Sequence, residues 1–301
     1  MRHLFSAILL SVLVTLFAGA CGSSPQRAGI LATTPLWAAI TSEVACGHPV
    51  DSLIPVGADP HSFEPSLADR GQVDTTLLLV ANGNNLEEGL DDIMSTTSTP
   101  VHYIINDAAD DDSHNDDSHN DDSHNDDSDP HVWLDPLSVA NSLPALADAL
   151  SQHAGLDPVS VEACRRDLNA RLQILDRDIG DRMATIPDDR RIVVTDHAML
   201  GRFANRYHLR ILGTVLNSHS SMAQASAHDL ELLATEMHNQ GVAVVAIEES
   251  GRNADSRRLA ERTGATLVEI PLRLGPGGSA TGSYEGMLRI LAERLDDALR
   301  G

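Results

Sequence analysis

A long stretch with helical periodicity in the middle of the chain most constrains the fold. Asp157 and Pro158 form an N-cap and a first-turn proline, and Pro187 follows the predicted end of the helix. Apolar residues between these points recur at steps of three and four and so share one helix face: Leu168, Leu172, Leu175, Ile179, Met183 and Ile186. Roughly 28 residues at about 1.5 Å per residue span about 40 Å. A helix of this length can run along two domains and connect them.

Short β-like runs alternate with helical segments on both sides of this linker helix. The runs before it cover residues 29–33, 50–54, 75–81 and 101–105, and those after it cover 191–195, 209–215, 242–247 and 266–270. Helices are predicted from Pro35, after Pro136, over 197–207, 226–239 and 253–264, and from about Ser283. Alternating strands and helices predict parallel sheets covered by helices. The predicted fold class is therefore α/β, with an N-terminal domain at residues 29–157, the linker helix at 158–187 and a C-terminal domain at 188–301.

The first 20 residues have the pattern of an export signal. A positive start at Arg2 precedes an apolar run at residues 4–17, which is too short to cross a bilayer comfortably. Residues 18–21, Ala-Gly-Ala-Cys, are similar to a bacterial lipobox, which implies cleavage before Cys21 and acylation of its sulfur. Residues 21–28 would then form a tether. Ordinary cleavage after the same Ala-Gly-Ala, which gives a soluble exported protein, is the alternative.

An acidic, histidine-rich segment interrupts the first half. Residues 107–129 hold 11 acidic residues, about half of the net charge of −23. Three repeats of Asp-Asp-Ser-His-Asn place imidazoles at His114, His119 and His124. Because so few apolar groups cannot offset the entropy cost of ordering, we expect a solvated, mobile loop. Imidazole suits zinc, so we expect weak accessory metal sites there; a spacer that only aids solubility is the alternative.

The charge of the chain limits its possible partners, and its cysteine content limits its possible compartment. All 21 basic residues are arginine, against 44 acidic residues. Nucleic-acid binding depends on neutralising phosphates, so the absence of a basic patch argues against a nucleic-acid partner. Once Cys21 carries lipid, Cys46 and Cys164 remain, and an exported compartment permits a disulfide between them. Both are alternatively small buried hydrophobes.

Three histidines lie where a parallel sheet would place a binding site. His61 follows the run at 50–54 on a proline-rich loop, His131 stands in a second proline-rich segment, and His197 closely follows the run at 191–195. Ligands bind outside the carboxyl ends of such strands, and three neutral imidazoles with one further ligand satisfy zinc. Ligating imidazoles need an acceptor for their second nitrogen, for which three nearby aspartates are candidates: Asp59, Asp135 and Asp196. The remaining histidines are interpreted as structural or exposed: His48, His102, His153, His208, His219, His228 and His238.

Three segments, at residues 57–65, 129–136 and 194–203, resemble signature segments of the cluster A-I solute-binding proteins. These are the zinc and manganese receptors of bacterial ABC importers. The resemblance runs in order over about residues 28–299. It implies two Rossmann-like (β/α) domains, a rigid connecting helix and a metal in the cleft between the domains. Zinc members of the family often carry a loop rich in histidine and aspartate before the second segment, as this chain does.

The resemblance also implies a ligand set. Carried over position by position, it gives His61, His131 and His197 as the metal ligands. Manganese members often have glutamate where this chain has His197, so the three imidazoles favour zinc. Many members have an aspartate directly before the Ser-Tyr of the last helix, where this chain has Gly282. The fourth ligand therefore stays open among water and four carboxylates: Asp59, Glu248, Glu249 and Glu285.

The function implied by the resemblance is a high-affinity zinc receptor, not an enzyme, that delivers Zn(II) to the permease and ATPase of an ABC importer. We expect a monomer held through Cys21 at the outer face of the cytoplasmic membrane, with a metallochaperone as a further candidate partner. A manganese receptor or metal-dependent adhesin is one alternative. A zinc hydrolase is another, since three histidines and an open position also describe catalytic zinc, although the chain has no His-Glu-x-x-His motif.

Overall fold

The computed structural model describes residues 28–105, 129–249, 251 and 253–301 of the protein. Two parallel four-stranded sheets lie within these ranges. The first contains β1 (Ile30–Ala32), β2 (Val50–Ser52), β3 (Leu78–Ala81) and β4 (Val101–Tyr103), in the order β2-β1-β3-β4. The second contains β5 (Ile192–Thr195), β6 (Arg210–Thr214), β7 (Val244–Glu248) and β8 (Thr266–Ile270), in the order β6-β5-β7-β8. The predicted α/β class with parallel sheets is confirmed.

Helices cover both sheets and connect the strands. In the described ranges they are α1 (Pro35–Val44), α2 (Leu67–Asp74), α3 (Asp91–Thr96), α4 (Pro136–His153), α5 (Pro158–Ala184), α6 (Gly201–Tyr207), α7 (Ala227–Gln240), α8 (Ala254–Thr263) and α9 (Tyr284–Arg300). None of these helices has the length and apolar content needed to cross a bilayer. The capping chemistry explains where several of them begin: Thr34, Asp135 and Asp157 each accept a hydrogen bond from a backbone amide in the first turn of α1, α4 and α5.

The linker helix α5 packs against both halves of the molecule. Its predicted apolar stripe is buried and belongs to a continuous core that also contains Trp37 of α1 and Leu291 of α9. The helix ends at Ala184 and not at residue 187, because Thr185 and Ile186 already turn back onto the last turn through their backbone amides. One continuous core therefore fixes the position of the first sheet relative to the second.

Helix α6 begins four residues later than the sequence pattern predicts. The backbone amide of Met199 donates to the carbonyl of His197 at 2.7 Å, and the amide of Ala198 donates to the carbonyl of Ser218 at 2.8 Å. The hydroxyl of Thr195 also donates to the carbonyl of His197 at 2.7 Å. These bonds hold residues 197–200 in a compact turn, so His197 stands on an irregular segment at the strand end and not on a helix.

A disulfide between Cys46 and Cys164 ties the segment after α1 to the linker helix. The Cα atoms are 5.5 Å apart, and the bond closes a sequence separation of 118 residues. The pairing that the sequence left open is therefore present. The bond fastens α5 to the N-terminal half covalently, in addition to the apolar contacts.

Candidate metal centre

His61 reaches the cleft from the first sheet. It lies in a short 3-10 turn, Pro60–Ser62, in the loop that follows β2. One oxygen of Asp59 accepts a hydrogen bond from the His61 backbone amide at 3.0 Å, and the other accepts from the hydroxyl of Ser221 at 2.6 Å. Asp59 thus caps the turn that carries the imidazole and links it to the C-terminal half.

His131 is the most enclosed of the three predicted ligands. Its backbone amide donates to Asp129 Oδ1 at 2.9 Å, and its ring Nδ1 lies 2.7 Å from the same oxygen. A carboxylate only accepts hydrogen bonds, so Nδ1 carries the proton and Nε2 has the free lone pair. The carbonyl of the preceding residue, Pro130, accepts from the side-chain amide of Asn82 at 2.9 Å, which fixes this segment to the end of β3.

His197 is held in the same manner from the second sheet. Asp196 Oδ1 accepts from the backbone amide of His197 at 2.8 Å and lies 2.9 Å from the ring Nδ1. Asp196 Oδ2 accepts from the backbone amide of Glu248, at the end of the neighbouring strand β7, at 3.2 Å. The imidazole is therefore oriented with Nε2 as its available ligand atom.

The three imidazoles meet in the cleft between the two sheets. Their ring centroids are 5.6 Å apart for His61 and His131, 5.4 Å for His131 and His197, and 6.1 Å for His61 and His197. One ligand atom from each lies within 4.8 Å of the others. His131 and His197 are each 1% exposed. The geometry can hold one divalent cation between nitrogen atoms contributed by both halves.

Of the three aspartates predicted as outer acceptors, Asp59 accepts from the backbone amide of His61 and from Ser221. Asp196 accepts from the ring of His197 as predicted, but Asp135 does not serve His131: it caps α4, accepting from the backbone amide of Leu137 at 2.9 Å. Asp129 takes that role. The signal was present in the sequence, because Asp-Pro-His occurs at both 59–61 and 129–131 with the aspartate capping the histidine amide each time.

Burial and charge set the protonation of the three rings. Burial and the neighbouring His131 lower the pKa of His61 to about 3. Burial also lowers the pKa of His131, against the opposing effect of Asp129. At His197 burial is outweighed by the hydrogen bond and charge of Asp196, so its pKa is raised. Near neutral pH, His61 and His131 are neutral and His197 is the imidazole that carries a proton most readily.

The four carboxylates considered as a fourth ligand all have partners. Glu285 pairs with an arginine of α5 at 3.2 Å, and Glu249 pairs with Arg294 at 3.3 Å. Glu248 forms an ion pair with Arg273 at 2.8 Å, and burial raises the pKa of Glu248 to about 7 with Arg273 opposing that rise. Asp59 is held by Ser221 and by the His61 amide. The fourth position therefore stays open between water and a carboxylate that would first have to leave its partner.

Two other positions complete the surroundings of the site. Gly282 is tightly packed, since a Cβ atom there would lie 2.7 Å from the Pro276 carbonyl oxygen, so no side chain fits at this position without a shift of the loop. His219, interpreted from sequence as structural or exposed, lies beside the centre: its Nδ1 is 3.8 Å from Asp129 Oδ1 and 2.9 Å from the carbonyl of Ala198. No motif in the sequence marks it, because the loop that carries it approaches Asp129 only in the fold.

Comparisons with known proteins agree with this architecture. The family model described as zinc-uptake complex component A, periplasmic, matches residues 30–298. The chain is 26% identical over 288 residues to the manganese-binding lipoprotein MntA of Bacillus subtilis, with 92% of each chain covered. It is 24% identical over 303 residues to the zinc-binding protein TroA of Treponema pallidum, with 95% of each covered.

Solved structures with the same fold include two metal-binding proteins. The periplasmic zinc binding protein TroA from Treponema pallidum matches with a TM-score of 0.78 and 22% identity, over 91% of this chain and 99% of that chain. A Mn-bound periplasmic metal binding protein from Candidatus Liberibacter asiaticus matches with a TM-score of 0.74 and 18% identity, over 91% of this chain and 100% of that one. These likenesses confirm the two-sheet architecture.

Metal affinity should fall as pH falls from about 7.5 to about 5.5, and each bound ion should displace only one or two protons from the protein. An ion can bind only the neutral imidazole, so binding below the raised pKa of His197 must release its proton, whereas His61, with a pKa of about 3, has none to release. Burial raises the pKa of Glu248 to about 7, so at pH 6 this carboxyl group can release a second proton when a cation binds nearby. Calorimetry at pH 6 in buffers of different ionisation enthalpy should count about one to two protons per ion, and about one in Glu248→Gln. A count of three, or none, would contradict these pKa directions.

Proposed function

The chain belongs to the family of periplasmic zinc-uptake components, and from that membership we propose that it is an exported receptor that captures zinc for import. The observation that supports this most directly is the meeting of three imidazoles contributed by both halves of the protein. Such a site binds and releases an ion without covalent chemistry. An uptake role accordingly makes the metal the cargo of this protein and not a cofactor of a reaction.

We propose zinc as the cargo because of the donor atoms. Imidazole nitrogen suits zinc, whereas manganese prefers carboxylate, carbonyl and water oxygen. Zinc is commonly four-coordinate, so three nitrogens from His61, His131 and His197 leave a single position for water or a carboxylate. The names of the relatives include both zinc and manganese binding, so the choice rests on the ligands of this chain.

Delivery to a membrane importer would follow from the same family role. We propose that the partners are the permease and ATPase of an ABC importer, and that acylated Cys21 holds the receptor at the outer face of the cytoplasmic membrane. The signal at residues 1–20 and Cys21 lie outside the described residues, as does the repeat segment with His114, His119 and His124.

Competition between metals tests the cargo assignment. The metal-stripped mature protein should bind one equivalent of zinc tightly and manganese much more weakly, because all three proposed protein ligands are nitrogens. Native mass spectrometry gives the stoichiometry, and titration against a chromophoric chelator gives the relative affinities. Preferential binding of manganese would reject zinc as the cargo.

Alanine variants test the ligands. His61→Ala, His131→Ala and His197→Ala should each weaken zinc binding by at least the roughly 10- to 100-fold that loss of an outer-shell partner already costs. His48→Ala and His153→Ala are matched controls, since His48 is exposed and both lie outside the group of three imidazoles. The controls should retain the affinity of the unmodified protein. Equal losses in the two groups would reject the proposed site.

The histidine-rich segment is proposed as an accessory that gathers zinc at low affinity. Its charge should attract cations over about a Debye length, roughly 8–10 Å at physiological salt. Deletion of residues 110–127 should leave the affinity of the tight site within a few-fold while the weak additional zinc equivalents disappear. Unchanged stoichiometry would favour a solubilising spacer, and loss of tight binding would mean that the segment supplies a ligand.

A further inference from the structure

Arg273 spans the cleft beside the three imidazoles. It lies in the segment between β8 and α9, and its Nε is 2.8 Å from Glu248 Oε1. Its Nη1 donates to the carbonyl of Gly57 in the N-terminal half at 3.0 Å, and its Nη2 donates to the carbonyl of Glu249 at 3.4 Å. The side chain is 17% exposed. All three nitrogens of the guanidinium are engaged, so the position of its charge is fixed.

Glu248 lies at the end of β7, next to the segment that carries His197. Strand β7 pairs in parallel with β5, with Thr195 opposite Ala246, so His197 and Glu248 each follow the paired residues by two positions. The Glu248 amide donates to Asp196, whose other oxygen orients the ring of His197. Asp196 thus contacts both Glu248 and His197, and Arg273 contacts Gly57, four residues before His61. The ion pair therefore lies beside the segments that carry two of the three imidazoles.

Three other carboxylates near the centre contact the segments that carry the histidines. Asp129 and Asp196 each orient an imidazole, and Asp59 caps the His61 turn while accepting from a serine hydroxyl. The side chain of Glu248 makes no such contact with a ligand residue, and its side-chain partner is Arg273. Glu248 is thus a buried carboxylate beside Asp196 whose charge is paired with Arg273 and with none of the three histidines.

We propose that Arg273 determines metal selectivity by holding Glu248 away from the bound ion. While Arg273 retains Glu248, an ion meets three nitrogens and a water, a set that suits four-coordinate zinc. Released, the carboxylate would add one or two hard oxygens, which raises the coordination number and favours manganese. Arg273 acts here as a positioning residue and does not contact the ion. The inference rests on the proposed function, since it takes the three histidines as the ligands.

Replacement of the arginine tests this role. Arg273→Met removes the partner of Glu248, and the ratio of manganese to zinc affinity should rise about tenfold, at the lower end of what outer-shell changes produce. Arg273→Lys keeps a positive charge beside Glu248 and should retain the original ratio. Arg289→Met is the matched control: it removes the partner of Asp178, a half-exposed pair between α9 and α5 that includes none of the candidate ligands, and should leave the ratio unchanged.

A double variant identifies the carboxylate responsible. In Arg273→Met with Glu248→Gln, no carboxylate is released, so the ratio should return to that of the unmodified protein. Arg273→Gln provides a second neutral variant if the methionine protein does not fold. The absorption of bound Co(II) reports coordination number: the strong visible bands of a four-coordinate ion should weaken in Arg273→Met and return in the double variant.

The outcomes separate this inference from the proposed function. A folded Arg273→Met or Arg273→Gln protein with an unchanged ratio and cobalt spectrum would overturn the role of Arg273. A shift that persists in the double variant would overturn the role of Glu248. Both results leave the receptor intact if zinc still binds the unmodified protein and is lost in His61→Ala. Absence of zinc binding to the unmodified protein would instead reject the proposed function itself.

Discussion

The metal centre depends on one continuous apolar core that fixes the two sheets relative to each other. His61 and His131 belong to the N-terminal half and His197 to the C-terminal half. A larger distance between the halves would therefore separate the three ligand atoms. The linker helix α5 prevents this through its buried stripe, which packs in one core with residues of α1 and α9. A buried aspartate on the same helix, Asp176, accepts two hydrogen bonds from Arg206 of α6, at 2.7 and 2.6 Å. The helix is thus fastened to each half separately.

Within that frame, the carboxylates turn three ordinary histidines into an oriented site. Burying an imidazole costs free energy unless its polar atoms are paired. Asp129 and Asp196 meet this requirement at Nδ1, and the consequence is that Nε2 points to the cleft at His131 and His197. Each of the two Asp-Pro-His segments also uses proline to fix the backbone before the histidine. The site is therefore organised before an ion arrives, which reduces the ordering entropy lost on binding.

Local sequence patterns predicted the parts of the fold that local chemistry determines. The stripe from Leu168 to Met183 follows from spacing, and the caps at Asp157 and Thr34 follow from residue type. The positions of His61 and His197 after β2 and β5 follow from the predicted strand ends. What could not be predicted depends on contacts between distant residues. The late start of α6 results from a hydrogen bond between Ala198 and Ser218.

The roles of the two aspartates that flank His131 depend on which backbone amides they meet. The sequence analysis proposed Asp135 as the partner of His131, but the proline after Asp135 begins α4 and commits that residue to capping the helix. Asp129, two residues before His131, caps no helix and accepts from the ring of His131 instead. The pairing of Arg273 with Glu248 joins the segment after β8 to the end of β7, and no sequence motif links the two residues, so only the fold reveals it.

The contacts across the cleft differ in how easily they can break. Behind the histidines, the indole of Trp133 donates to the Leu272 carbonyl at 3.0 Å and the hydroxyl of Tyr284 donates to the Trp133 carbonyl at 2.7 Å, both in buried surroundings. At the rim, Arg273 donates to Gly57 in an exposed position. An exposed bond that is lost is replaced by water and costs about 1 kcal/mol, whereas an unsatisfied buried group costs about 1–3 kcal/mol. Separation of the halves is therefore easiest at the rim, where Arg273 bridges them, and hardest at Trp133. The residue that we propose to govern selectivity thus bridges the halves through a contact that breaks more easily than those of Trp133.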